Sequence, residues 1–111
     1  ASPTRLIFVG ASLASGAIFN VQYTSFTPVI GRWYHFVGTR NGSTAYLFVD
    51  GAQVASAAAS GSFANMTTAF TIGYDRLNGG RYVDGTIDDV RVYNRALTRT
   101  EIRQLYEAGR R

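Results

Sequence analysis

Residues 80–102 read GRYVDGTIDDVRVYNRALTRTEI: a β-strand pattern that runs straight into a helix start. Asp84-Gly85 is a turn pair that opens the strand, which is expected to reach about Tyr93. Thr98 and Glu101 have the spacing of a capping box, in which the Thr hydroxyl takes one free helix N–H and the Glu carboxylate reaches back for another. A strand ending in a short capped helix is a way to close a β-sandwich. It points to a recognition module and carries no catalytic signature.

Outward from this block, the chain is punctuated by further pairs that tolerate positive φ: Asn41-Gly42, Asp50-Gly51 and Asn78-Gly79. The segments between them are rich in Val, Ile, Phe, Tyr and Thr, residues that fit a pleated, half-buried surface. Strands are expected at about 5–10, 17–24, 32–40, 44–50, 52–57, 69–75 and 83–94. A helix is expected at about 98–108, ended by Gly109. Trp33, His35, Val37 and Thr39 share one strand face; Tyr34, Phe36, Gly38 and Arg40 share the other. Large apolar groups on both faces mean that both are covered, or that one is a binding surface. Ile87 and Val90 are an odd number apart, so either a bulge lies at Asp88-Asp89 or both sides are partly buried.

The chain has 111 residues, 46% of them hydrophobic, enough for one small domain with a real core. Ala1–Thr4 looks like a linker or a cut end, with a single domain over 5–111. There is no Cys, which removes disulfide, zinc-finger and thiol chemistry. No apolar run is long enough to span a membrane, and no signal peptide is visible. The net charge is +4, and all eleven basic residues are Arg. Such a surface suits anionic partners, yet there is no basic run and no helix-turn-helix, so nucleic acid is disfavoured and solvated strand and helix faces are the plainer account.

Two segments carry a family resemblance. One is Gly31–Gly51, GRWYHFVGTRNGSTAYLFVDG, a Trp-x-His strand, a turn and an aromatic-Val-Asp-Gly strand. The other is Tyr82–Leu105, with its DGTIDDVRVYNRALT core. In this order and spacing they resemble laminin G-like domains of the concanavalin A-like lectin/glucanase superfamily; the last strand is also similar to pentraxins. The resemblance covers about 31–108 well and 5–30 weakly. It implies an all-β fold: an antiparallel, jelly-roll-like sandwich of two sheets, here with a short C-terminal helix. Family members usually run longer, with further strands before residue 5, so the sandwich is expected to be partial: either the C-terminal portion of a domain or a natural short form. Unpaired edges would then favour a homo-oligomer or strand exchange. The alternative is a small closed monomer with a rearranged sheet.

For chemistry, glycoside hydrolysis needs two carboxylates across the scissile bond. The superfamily's glucanases carry Glu-x-Asp-x-x-Glu on a strand, and that motif is absent; the two Glu residues, Glu101 and Glu107, are on the helix. Asp88 and Asp89 are adjacent, so on a strand they point to opposite faces. His35, the sole histidine, lacks a nucleophile motif around it and is expected to pack and hydrogen-bond inside the sandwich. The chain is therefore expected not to be an enzyme.

Calcium is the family's usual metal, and the available oxygen ligands make Asp75, Asp84 and Asp88 the candidates; Asp50 and Asp84 are also accounted for as turn residues. Sugar binding needs flat rings beside planar polar groups. The stretch Tyr74–Tyr82, YDRLNGGRY, supplies both, and its candidate ligand residues are Tyr74, Asp75, Arg76, Asn78, Arg81 and Tyr82, with Arg76 and Arg81 suited to an acidic sugar. The alternative is an ordinary hairpin with Tyr74 and Tyr82 as a cross-strand pair. The leading expectation is a non-catalytic recognition module of an extracellular or cell-surface, bacterial protein, its partner a glycan or a protein surface. The alternatives are a self-assembling β-sandwich fragment with no ligand of its own, or the non-catalytic part of a lectin-like hydrolase.

Overall fold

The computed structural model describes residues 5–12, 16–61, 72–75 and 81–110; at 11, 12, 16, 17, 75, 81 and 82 it describes the backbone alone. The chain divides into two compact units, residues 1–63 with 95–111, and residues 64–94.

In the first unit, β1 (Leu6–Ser12) pairs antiparallel with β2 (Gly16–Tyr23). A second sheet is the meander β3 (Phe36–Asn41), β4 (Thr44–Val49) and β5 (Ala52–Ala58). The two sheets bury Ile18, Phe19, Val21, Ala45, Leu47 and Ala59 together, with Leu6, Phe8, Tyr23, Val54, Ala55 and Ala57 packed around them. This is a partial β-sandwich. Ser60 N–H closes one corner by donating to the Ile18 carbonyl at 3.0 Å.

Two bulges shape this core. Between β1 and β2 the register steps at Gly10/Ala11, leaving Ile18 as the extra residue. Between β4 and β5 it steps at Leu47/Phe48, leaving Val54 extra. In a regular strand successive side chains face opposite ways. A bulge breaks that alternation, so Ile18 and Phe19, and likewise Val54 and Ala55, reach the core as neighbours.

The hairpins follow their turn chemistry. Asp50 and Gly51 form a two-residue loop with φ of 52° and 81°, the left-handed pair of a type I′ turn. At the preceding hairpin Asn41 stays in β3, and the loop is Gly42-Ser43 with Gly42 at φ 62°. Positive φ at the first loop residue is the type II′ requirement, so the turn lies one residue later than the Asn-Gly pair suggests.

The helix α1 (Arg99–Gly109) carries the expected capping box. Thr98 Oγ1 accepts from Glu101 N–H at 3.1 Å, and Glu101 Oε1 accepts from Thr98 N–H at 3.0 Å. Arg95 adds two bonds to the same carboxylate, at 2.8 and 2.5 Å. Those bonds first, and the Thr98 N–H second, pull the Glu101 carboxyl from 4.5 down to about 2. Ile102 is fully buried, and Arg99 reaches Gln53 of β5 at 2.6 Å. Gly109 is the last helical residue; the chain leaves through an extended Arg110 instead of a left-handed glycine.

Three expectations are corrected. The strand expected over 32–40 begins only at Phe36, because 32–35 are held by side chains from elsewhere. Residues 83–94 form no strand among the described residues, although they have the composition of one; a strand needs a neighbour for its N–H and C=O groups, and composition does not supply it. Asp84-Gly85 is not a positive-φ turn; in this region it is Asp89 that turns left-handed, at φ 53°. Of the strand expected at 69–75, 69–71 lie outside the described residues and the rest contributes β6 (Tyr74–Asp75), which pairs with β7 (Arg81–Tyr82).

Candidate functional site

The rim stretch 74–82 is a hairpin. The register sets Tyr74 opposite Tyr82 and Asp75 opposite Arg81. Directly opposed positions share a face and neighbouring positions alternate. The two tyrosine positions therefore fall on one face of this ladder and the acid–base rung on the other. Tyr74 is partly exposed. Arg76 and Asn78 lie outside the described residues. Val83 N–H donates to the Gly73 carbonyl at 2.9 Å, which continues the hairpin by one bond.

Asp84 and Asp88, the other calcium candidates, are both exposed. An oxygen of Asp88 accepts from Asp89 N–H at 2.8 Å. Among the described residues no three His, Asp or Glu side chains gather as a metal-binding group. Glu101 is committed to Arg95 and Thr98, and Glu107 lies between Arg103 at 3.8 Å and Arg110 at 3.6 Å.

His35 packs as expected but not inside the sandwich. Its ring lies 6.1 Å from that of Tyr106 on α1, on the sheet face away from the core. Its backbone exchanges two bonds with Asp50, N–H to Oδ1 at 2.9 Å and carbonyl from Asp50 N–H at 2.8 Å. Its Nδ1 is buried without a hydrogen-bond partner among the described residues. Trp33 is exposed.

A second arrangement sits at the open end of the first unit's core. Gly38 packs against the Phe8 ring, Phe36 opens β3, and Tyr34 and Arg32 lie in the segment that leads into the strand. The rings of Tyr34 and Phe36 are parallel, 3° apart with centroids at 6.1 Å. Phe26 stands edge-on to both, at 5.3 and 5.7 Å. The Arg32 guanidinium lies over the Tyr34 ring, 4.7 Å from its centre. Arg32 Nη2 also donates to Asp50 Oδ2 at 2.9 Å, and Val29 N–H donates to the Tyr34 hydroxyl at 2.8 Å. Phe36 keeps 48% of its surface exposed.

Sequence reading missed this group as a site. The signal was there in part: Tyr34 and Phe36 on one face of a strand apolar on both sides. Asp50 read only as a turn residue, and its link to Arg32 crosses 18 positions.

The comparisons with known proteins agree with this architecture. The Laminin_G_3 family model, described as Concanavalin A-like lectin/glucanases superfamily, matches residues 2–103. Comparison with the curated proteins finds no match. Among solved structures, the fold is similar to an S-layer domain-containing protein (residues 221–444) from Clostridium thermocellum ATCC 27405, with a TM-score of 0.57 and 24% identity over 82% of this chain. The chain spans 46% of that protein's solved length. With a match over residues 2–103 and a two-sheet core beneath it, the chain belongs to the laminin G-like family of the concanavalin A-like superfamily.

Proposed function

We propose that the chain is a non-catalytic recognition module of an extracellular or cell-surface protein, and that its partner is a saccharide or a protein surface. The observation that carries this is the match of residues 2–103 to the concanavalin A-like lectin/glucanase family, and the rim hairpin is the site we assign within it. The two tyrosine positions share one face, on which a sugar ring can stack, and the acid–base rung lies on the opposite face. Arg76 and Asn78 extend that site in sequence, and Asp75, Asp84 and Asp88 would be the ligands if the site takes calcium. The fold likeness to an S-layer domain-containing protein supports a cell-surface setting. The carboxylates already committed to ion pairs support a role without bond cleavage. A glycan array probed with calcium and with chelator tests the reading. Selective binding lost in Tyr74→Ala supports it; no binding in either condition sinks its saccharide form.

One observation favours a second reading, assembly. Val83, Ile87, Val90, Val92 and Tyr93 are exposed on a segment that makes no ladder among the described residues. Such a segment is a ready edge for pairing with another chain. Light scattering that gives a concentration-independent monomer would remove this reading.

A further inference from the structure

We infer that the column Arg32–Tyr34–Phe36, with Phe26 edge-on beside it, is a second binding site, and that its ligand is an uncharged saccharide chain. The inference rests on the recognition reading above for its ligand class and on none of that reading's residues.

Three observations point to a ligand. First, Phe36 offers an exposed ring, parallel to Tyr34 and braced by Phe26. The C–H face of a pyranose ring packs on such a surface, and bracing lowers the entropy lost on binding. Second, Arg32 is 58% exposed yet held on two sides, by the Asp50 carboxylate at 2.9 Å and the Tyr34 ring at 4.7 Å. A guanidinium has five N–H donors in a rigid fork, and Asp50 takes one of them. The others have no partner among the described residues and suit the hydroxyl oxygens of a sugar stacked on the neighbouring rings. Third, the guanidinium lies over Tyr34 and the Tyr34 ring is stacked with Phe36, so a chain-like ligand can meet both.

The charge selects among sugars. Asp50 is only 17% exposed and its two oxygens are taken by Arg32 and by His35 N–H. The Arg32–Asp50 pair has no net charge, and an acidic sugar gains nothing from Arg32 that Asp50 does not oppose. The rest of the surface carries the net +4 and would attract polyanions weakly and without geometry. Salt therefore separates the two: it weakens diffuse attraction and leaves stacking and neutral hydrogen bonds nearly unchanged.

The test is amide NMR on the full chain with neutral hexasaccharides of gluco, manno, galacto and xylo configuration, and with a polyuronate and a heparin fragment as charged probes. The expected result is that at least one neutral oligosaccharide shifts amides of residues 26–36, with an affinity unchanged by added salt. Arg32→Lys keeps the charge but loses the fork, and Phe36→Ala loses the ring; each is expected to weaken binding about tenfold. Arg32 is exposed, so that variant reports even if Phe36→Ala does not fold. Arg103→Gln, on α1 and in neither proposed site, is expected to bind as the parent does. Binding of the charged probes alone, fading with salt, overturns the inference. So does a neutral sugar that shifts residues 72–75 and leaves 26–36 unmoved, an outcome that keeps the rim-hairpin reading. Absence of any saccharide binding overturns the inference and leaves the recognition reading only its protein-surface form.

Discussion

The ring of Phe8 occupies the space that a side chain on Gly38 would need: a Cβ built there would meet Cε1 and Cζ of the ring at 2.7 Å. The contact joins the two sheets, Phe8 from β1 and Gly38 from β3. Gly38 is itself exposed, so Gly38→Ala should cost about 1 kcal/mol, the low end for overpacking, by pushing the Phe8 ring aside. In Phe8→Leu the same change should cost less, because the smaller side chain vacates the space. Urea unfolding of the two single variants and the double variant measures the coupling. Strict additivity would show that the ring does not impose the glycine.

Asp50 does two things at once, and two substitutions separate them. Its φ of 52° is the turn, and its carboxylate ties down Arg32 and His35 N–H. Asp50→Gly keeps the turn and loses the bonds, at about 1–3 kcal/mol. Asp50→Ala loses both, adding about 1–2 kcal/mol for a left-handed residue with a Cβ. The order of stabilities by urea unfolding should be Asp, Gly, Ala. An alanine variant as stable as the glycine variant would contradict it.

Glu101 makes stability depend on acid. Its folded pKa lies near 2, below the ordinary 4.5, so the folded state favours the ionised form. The stabilisation is complete above the ordinary value and drains away as the pH falls from about 4.5 towards 2. The carboxylate is a third exposed, so water screens it and the effect is modest. Melting temperature followed over that window should fall less for Glu101→Gln than for the parent. Equal slopes would mean that the Arg95 and Thr98 bonds do not hold the charged form. At neutral pH, Thr98→Ala should cost about 1 kcal/mol through the lost cap.

Calcium, if held by Asp75, Asp84 and Asp88, should raise the melting temperature in proportion to the logarithm of its concentration, since a ligand of the folded state stabilises by mass action. Chelator should reverse the rise, and Asp84→Asn with Asp88→Asn should abolish it. A melting temperature indifferent to calcium in the parent would remove the metal from the account.

What could be read from the sequence was what is local. Thr98 and Glu101 are three residues apart, Asp50 and Gly51 are neighbours, and each motif contains its own partners. The sandwich and its family were legible in the same way, through two short segments. The segment 83–94 misled because Val, Ile and Tyr report a preference for a pleated surface, while the ladder depends on a neighbour that the composition cannot name. The Arg32 column was hidden for a related reason. Arg32 finds Asp50, and Phe26 finds Phe36, only after the meander has folded. The Tyr74–Tyr82 pairing lies between: the turn residues suggested it, and the register bears it out.

The two-residue turns of the β3–β4–β5 meander also set an order in time. Strands joined by such short loops lose little chain entropy on closing, and hairpins of this kind form in about 1–10 μs. The helix contact from Arg99 to Gln53 instead closes 46 residues of chain, and must wait for a surface to dock on. The meander and the β1–β2 hairpin, both closed by short connections, are therefore expected to form before α1 docks. Substitutions at Leu47 should slow folding, and substitutions at Ile102 should mainly hasten unfolding. The helix whose capping box the sequence announces is thus expected to dock on strands that are already paired.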